Sequence, residues 1–473
     1  MMEGRKPREE CGVFGIYGPG LNVARLTYYG IFALQHRGQE SAGIAILDGD
    51  KIHVQKGMGL VSEVFENSDL DKLQGRAAIG HVRYSTTGAS QLVNAQPLVF
   101  RYAGGMLGLA HNGNITNTRE LYHRLTSSGA IFQSTTDSEI IVNLLARYSQ
   151  ASLSMEEAVI RCMQDLEGAY SLVILTEKSL FAVRDAYGFR PLCLGVLNGN
   201  YIVASESCAL DIIGASFLRD VTPGEIITIN EYGLNSVQGV SCRRRAHCIF
   251  EYIYFARPDS NIDGFNVKRV RREMGRRLAQ EYPVKVDLVI PVPDSGTSAA
   301  LGYAEASGIS FEEGLMKNRY VGRTFIQPCQ EMRDIGVRLK LNPVRELLAG
   351  KRIVLIDDSL VRGTTSKKIV SMLRECSVRE IHLCLSSPPV VHACYYGIDT
   401  SNEKELLAAQ MSLEEIRQRI TVDGLHYLSL NSLLDIFNGK KDSFCTACYS
   451  GDYPVAVENT GVDSIDSLKK LEF

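Results

Sequence analysis

The chain has no tryptophan, no long apolar run and no surplus of either charge. The missing tryptophan constrains nothing about function. The missing apolar run does, because a membrane-spanning helix needs roughly 18 such residues in succession. Across 473 residues, 51 Lys and Arg stand against 54 Asp and Glu, a net charge of −3. That balance supplies no bulk attraction to nucleic acid or to an acidic membrane surface. The opening MMEGRKPREECG is charged where a secretory leader would be apolar. The expectation is a cytoplasmic protein with neither nucleic acid nor membrane as partner. A Walker loop, GxxxxGK[ST], is also missing. The 12 cysteines are spread over the whole length rather than packed into a short segment, which excludes a disulfide scaffold.

What is present centres on Arg352–Met372, RIVLIDDSLVRGTTSKKIVSM. An apolar run, Ile353–Ile356, reads as a buried strand. The small-residue loop Ser359–Thr365 then leads into an amphipathic helix carrying Ile369, Val370 and Leu373 on one face. Ligands of such βα junctions bind at the carboxyl end of the strand. Backbone N–H groups at the helix start suit a phosphate, and Ser359, Arg362, Gly363, Thr364 and Thr365 are the candidates. The carboxylates Asp357 and Asp358 would repel a phosphate but suit ribose hydroxyls or Mg²⁺. The segment alone therefore predicts a phosphorylated sugar.

A second strand-end loop, PVPDSGTSA, offers Asp294, Ser295 and Gly296. Alone it is a weak turn signal. Between the loops, Lys317–Lys340 is rich in Lys, Arg and Gly, and reads either as an exposed basic loop or as a lid over an anion. From Val286 onward strands and helices alternate, the rhythm of a doubly wound parallel sheet, an α/β class. The helix Asn266–Gln280 is so basic that it reads as a solvated face. The stretch Val240–His247 suits a domain junction.

From Cys11 to about Val237 the pattern differs. Short strand-like runs punctuated by Gly and Asn are interrupted by helices near Asp137–Ala151 and Met155–Leu166. This suggests stacked antiparallel sheets covered by helices, an α+β arrangement. Cys11 would become a nucleophile of a special kind if Met1–Glu10 were removed, since its own α-amine, pKa about 7.7–8.0, could then serve as its base. Near the far end Cys445 and Cys448 form a CxxC with no second CxxC or HxxxH close by, so any further ligands must come from distant segments.

The motifs CGVFGIYG, LQHRGQESAG, GHVRYSTTG, HNGNITN, TTDSE and EGAYSLVIL, in that order, resemble the glutaminase domain of the N-terminal-nucleophile (class II) glutamine amidotransferases. IDDSLVRGTTS resembles the phosphoribosylpyrophosphate (PRPP) signature of type I phosphoribosyltransferases, and KNRYVGRTFIQ the mobile loop of the amidophosphoribosyltransferase family. The resemblance covers Glu9 to Pro454. It implies a propeptide of residues 1–10 and an αββα glutaminase sandwich at 11–240. After a linker at 241–265 come a phosphoribosyltransferase domain at 266–454 and an unassigned tail at 455–473. It makes Cys11 the nucleophile, Asn112 and Gly113 the oxyanion hole, Arg83 the partner of the glutamine α-carboxylate and Asp137 that of its ammonium, with Thr86 nearby. It assigns Lys317, Arg319, Tyr320 and Arg323 to the lid, and Ser295, Asp357 and Asp358 to Mg²⁺. It gives Cys248, Cys394, Cys445 and Cys448 to a [4Fe–4S] cluster, although Cys242 and Cys384 are near enough that spacing alone does not choose among them. The implied substrates are glutamine and PRPP, in the entry step of purine synthesis, with purine nucleotides as inhibitors and a homotetramer as the assembly. Two other classes compete: a different class II amidotransferase, which would lack IDDSLVRGTTS, and a non-enzymatic PRPP sensor, which would have no use for Cys11, Asn112 and Asp137.

Overall fold

The computed structural model describes residues 11–66, 70, 72–84, 90–151, 154–242, 244–318, 341–400 and 402–456. Its N-terminal half is built on two stacked antiparallel sheets. The first has seven strands in the order β11-β9-β10-β1-β4-β2-β3, and the second six in the order β13-β12-β8-β7-β6-β5. In chain order these are β1 Gly12–Tyr17, β2 Ser41–Asp48, β3 Lys51–Met58, β4 Ala77–Arg83, β5 Leu98–Tyr102, β6 Gly105–Ile115, β7 Gly168–Thr176, β8 Leu180–Arg184, β9 Cys193–Leu197, β10 Asn200–Ala204, β11 Ser216–Asp220, β12 Glu225–Asn230 and β13 Gly233–Gln238.

Strand β2, SAGIAILD, shows why the layers form. All but its last residue are buried, because both of its faces are covered. Ala45 and Leu47 point into the space between the sheets, where they meet Ala110, Val173, Leu180 and Ile227 of the second sheet. Ile44 and Ile46 point the other way, into a core with helix α1, Val23–Ala33. Successive side chains of a strand face opposite sides, so a doubly covered strand reads as an unbroken apolar run. The second sheet is covered in turn by α2, Asp137–Ala151, and α3, Met155–Asp165, whose Ile140, Leu144, Val159 and Met163 pack on Leu109, Leu172 and Ile174. The result is the expected αββα order.

The C-terminal half holds four parallel strands in consecutive order, β14 Leu288–Pro291, β15 Arg352–Asp357, β16 Glu380–Leu385 and β17 Gly424–Tyr427. The segment 310–312 adds a fifth position outside β14. Val289 N–H donates to the Ser310 carbonyl at 2.9 Å, and Glu312 N–H to the Val289 carbonyl at 3.0 Å, in parallel sense. With that segment included, the chain starts in the middle, steps outward once, then returns across β14. This reversal between β14 and β15 is the switch point of a doubly wound sheet, the place where such sheets bind ligands. Helices α4, Val267–Glu281, and α5, Thr297–Ser307, cover one face, while α6, Thr364–Glu375, follows β15.

The basic helix is not merely solvated. Val267, Val270, Met274 and Leu278 form a buried stripe at helical spacing, hidden in the sequence by the charges between them. The region around 247–266 is equally integrated. His247–Cys248 pairs with Phe444–Cys445, and a π-helical turn at Glu251–Phe255 is buried in the C-terminal core.

Candidate functional site

Strand β1 runs through the middle of the first sheet, so Cys11 just ahead of it lies at one end of the sandwich. There it faces the end of β4 at Arg83 and the start of β2 at Ser41. The Cys11 thiol donates to the Tyr84 carbonyl at 3.5 Å. Burial pushes the thiol up to about 11, against the opposing pull of that hydrogen bond and of Arg83, with Glu40 and Asp137 adding to the rise. A buried neutral thiol is a poor nucleophile without a base beside it. The same electrostatics place Arg83 and Asp137, the two predicted glutamine-binding groups, in one neighbourhood with the sulfur.

Arg83 is buried and its Nη1 lies 2.5 Å from Glu40 Oε1. Glu40 was not among the expected residues, and a substrate carboxylate would share the guanidinium with it. Asp137 opens α2, where the helix dipole favours a negative charge. Its Oδ2 accepts the Ile115 N–H at 3.0 Å, and its Oδ1 lies 3.7 Å from His111 Nδ1. Burial would raise this carboxyl, but His111 and the backbone donor hold it below the usual carboxylate range. His111 is fixed in its turn, with its N–H on Gln96 Oε1 at 2.8 Å and its Nδ1 3.1 Å from Ser138 Oγ.

Next along β6, Asn112 is fully buried, and among the described residues neither its amide oxygen nor its amide nitrogen has a partner. An unsatisfied buried amide costs about 1–3 kcal/mol, which suits a position whose partner arrives with a ligand. Gly113 sits at φ +148°, and a Cβ there would fall 2.0 Å from the Ala169 carbonyl oxygen, so only glycine fits. Thr86 lies outside the described residues.

The second site lies at the switch point. Asp357 ends β15, and both it and Asp358 are fully buried. Asp357 Oδ1 accepts the Asp358 N–H at 2.9 Å, and Ser359 Oγ donates to Asp358 Oδ1 at 2.5 Å. The loop turns at Gly363 into α6, and residues 359–366 enclose a small pocket at the helix start. Arg362 turns aside, its Nε 2.7 Å from Glu405 Oε2. The other loop is held against this one by the Val292 N–H, which donates to the Ile356 carbonyl at 2.8 Å. Gly296 caps α5. Lys317 Nζ reaches Asp294 Oδ2 at 2.5 Å on the surface. Arg319, Tyr320 and Arg323 lie outside the described residues, as do 1–10 and 457–473. Behind the carboxylates stands a residue the motifs did not reveal, Arg271 of α4. Burial pulls it down to about 10, with Asp358 opposing, and its guanidinium donates to the Tyr252 and Ala256 carbonyls at 2.7 and 2.8 Å.

Four cysteines from three distant stretches share one neighbourhood. Cys248 and Cys445 are ladder partners. Burial drives the Cys448 thiol well up, and Cys394, Cys445 and Cys248 add to the rise, which puts those three within electrostatic reach of it. The alternatives separate from this group: Cys242 is exposed, and Cys384 is buried with burial alone acting on it. Among the described residues no three His, Cys, Asp or Glu side chains converge as a single-ion site. No helix among them is long and apolar enough to cross a membrane.

Comparison with known proteins agrees with both halves. A glutamine amidotransferase domain model matches residues 81–211, a span that includes Arg83, Asn112 and Asp137. Amidophosphoribosyltransferase from Synechococcus elongatus is 50% identical over 456 residues, covering 96% of this chain and 92% of its own. The Bacillus subtilis enzyme of that name is 50% identical over 454 residues, 95% of each. The solved B. subtilis glutamine PRPP amidotransferase, complexed with ADP and GMP, superposes with a TM-score of 0.90 at 48% identity, covering 97% of this chain and all of that one. Identity at this level across both domains, with one shared backbone, makes the chain a member of the amidophosphoribosyltransferase family.

Proposed function

We propose that Cys11 and the Asp357–Asp358 loop are the two reaction centres of one enzyme, which passes the amide nitrogen of glutamine to PRPP in the first step of purine biosynthesis. The observation that carries the residue assignment is the convergence at Cys11. Arg83 and Asp137 act on its thiol and offer a donor for a carboxylate and an acceptor for an ammonium. On β6, next to the His111 that holds Asp137, the Asn112 amide, unpartnered among the described residues, offers a donor for an oxyanion.

In this reading the Cys11 sulfur attacks the glutamine carboxamide carbon. The carbon–nitrogen bond breaks, ammonia departs with the thiol proton, and water cleaves the thioester to glutamate. The base for the thiol is the α-amine that Cys11 gains when residues 1–10 are removed. Arg83 and Asp137 hold the two ends of the amino acid, and Asn112 with Gly113 steadies the developing O⁻, a contribution worth about 3–4 kcal/mol in comparable sites. At the second centre the ammonia nitrogen attacks the C1 carbon of the ribose as its bond to pyrophosphate breaks. Asp357 and Asp358 accept the sugar hydroxyls, while the N–H groups at the start of α6 take the 5-phosphate. The two buried carboxylates with Ser295 suit Mg²⁺, which would supply charge neutralisation to the departing pyrophosphate.

The four gathered thiols suit a [4Fe–4S] cluster, with Cys248, Cys394, Cys445 and Cys448 as its ligands; the donor set is all sulfur and binds the chain's end to residues about 200 earlier. Purine nucleotides, which share ribose and 5′-phosphate with PRPP, would compete at the 359–366 pocket, consistent with the ADP and GMP of the solved B. subtilis relative.

The test is Cys11→Ala. It should abolish synthesis from glutamine yet leave synthesis from ammonium salts; loss of both together rejects two separate centres.

A further inference from the structure

The glutaminase site is not completed by the glutaminase domain. Arg37, from the LQHRGQESAG motif, is among the largest fully buried side chains, and its Nε donates to the Cys11 carbonyl at 3.1 Å. The rest of its guanidinium is held by two carboxylates. Nη1 donates to Glu206 Oε1 at 2.6 Å, and the fork formed by Nη1 and Nη2 meets Glu251 at 3.0 and 2.7 Å. Burial would raise the Glu206 carboxyl, but His36 and Arg37 hold it far below its usual range. Glu251 belongs to the π-helical turn of the C-terminal core, not to the sandwich. A bidentate fork fixes the plane of the guanidinium. The third donor is thereby aimed at the nucleophile's own carbonyl.

A second arm reaches the oxyanion strand. Glu251 Oε1 also faces Arg190 Nη1 at 3.7 Å, and the other end of Arg190 donates to the Tyr396 carbonyl. Beside it Asn114, two residues past Asn112 on β6, donates its amide to the Tyr395 carbonyl at 2.9 Å. Gly397 sits at φ +117°, and a Cβ there would come 2.8 Å from Arg190 Nη2 and 3.6 Å from the Gly113 carbonyl carbon. The segment 395–397 therefore seats directly on the strand carrying the oxyanion donors, and at Gly397 the positive φ favours glycine while a Cβ would push on the Arg190 guanidinium.

Buried charges of this kind are weak evidence for stability, since apolar residues of similar volume commonly hold a fold as well or better. What two cations and two carboxylates provide here is a fixed geometry. They link the nucleophile carbonyl on one side and the oxyanion strand on the other to a single turn of the distal domain. We infer that Arg37, Glu251 and Arg190 are positioning residues for glutamine hydrolysis, so that this site is in working register only when the Glu251 turn and the 395–397 segment are docked on it. The inference rests on the reading of Cys11 as nucleophile. Displacing a reacting group by about 1 Å can cost a factor on the order of 10² in rate.

The test uses full-length Glu251→Gln, which keeps shape and removes charge, and Gly397→Ala, which presses on the other arm. Arg37→Lys, which keeps the charge but loses the fork, is the reserve if either fails to accumulate as folded protein. Each should lower kcat with glutamine at least tenfold, change the glutamine KM less than threefold, and leave synthesis from ammonium salts within twofold. Combining Arg37→Lys with Glu251→Gln should cost no more than the worse single change. Glutamine turnover within twofold of the parent, or equal loss with both nitrogen sources, overturns the positioning role. Cys11→Ala is run alongside; if it retains glutamine turnover, the nucleophile assignment itself falls, a result distinguishable from either of the others.

Discussion

The two proposed centres of this enzyme are assembled in different ways. At the proposed PRPP centre the groups for the sugar and its 5-phosphate come from one contiguous run, residues 357–366, at the end of a single strand, and the neighbouring strand end adds 294–296. At the proposed glutamine centre Cys11, Arg83, Asn112 and Asp137 come from the approach to β1, the end of β4, strand β6 and the start of helix α2, and their setting is tied to partners as distant as Glu251 and Tyr395. A contiguous βα loop carries its geometry with it, because strand direction and helix start together dictate where the donors point. A dispersed site has no such guarantee, and its precision must come from packing and buried charge. The glutamine centre should therefore be sensitive to changes far from it, and the PRPP centre mainly to changes within it.

The largest expected effect breaks the comparison at its local end. Asp358→Ala should remove several kcal/mol of transition-state stabilisation, on the order of 10³-fold, with either nitrogen source. Unchanged turnover with ammonium salts would sink the assignment. Asn112→Ala should cost about 10²–10³-fold in kcat with glutamine alone, and steady-state assays with both nitrogen donors separate the two activities. Asp137→Asn should raise the glutamine KM about 10- to 100-fold, the value of a hydrogen bond to a charged group, with ammonium-dependent rates unmoved. For the cysteines, Cys445→Ser should remove iron and acid-labile sulfide from anaerobically purified protein; stoichiometric zinc in the parent would contradict the cluster.

The smallest effect is on stability. Burial brings His81 down from 6.5 to about 3, so the folded protein leaves it neutral where the unfolded chain is protonated. Its contribution is therefore complete above 6.5 and shrinks as the pH falls toward 3. His81→Gln should flatten the decline of the urea midpoint between pH 7 and 5; an unaltered slope would show that His81 plays no part in it.

Much of this was legible in the chain. The strand at Arg352–Asp357 and the helix at Thr364–Glu375 follow from one apolar run and one amphipathic run, and the loop between them from its small residues. Asp137–Ala151 emerged as a helix with its first residue in place. What did not emerge are the groups whose partners lie far along the chain. Arg37 and Glu251 are 214 positions apart, and neither carries a local pattern that requires the other. His111 carries no local sign of its partner until α2 places Asp137 beside it. Arg271 looked solvated because the count of charges in α4 conceals the stripe that faces the core. Local chemistry is written in neighbouring residues, whereas buried electrostatics is settled only when distant strands meet.

The central proposal is that these two unlike centres act as one enzyme, the nitrogen released at Cys11 being the one that reaches C1 of the ribose. The direct measurement is turnover of glutamine labelled with ¹⁵N at the amide, in a bulk excess of unlabelled ammonium at a pH where little of it is free ammonia. The account predicts that the phosphoribosylamine formed carries the ¹⁵N label in most molecules. Label diluted to the bulk isotope ratio would mean that the nitrogen escapes to solvent first, and that the two centres only share a chain.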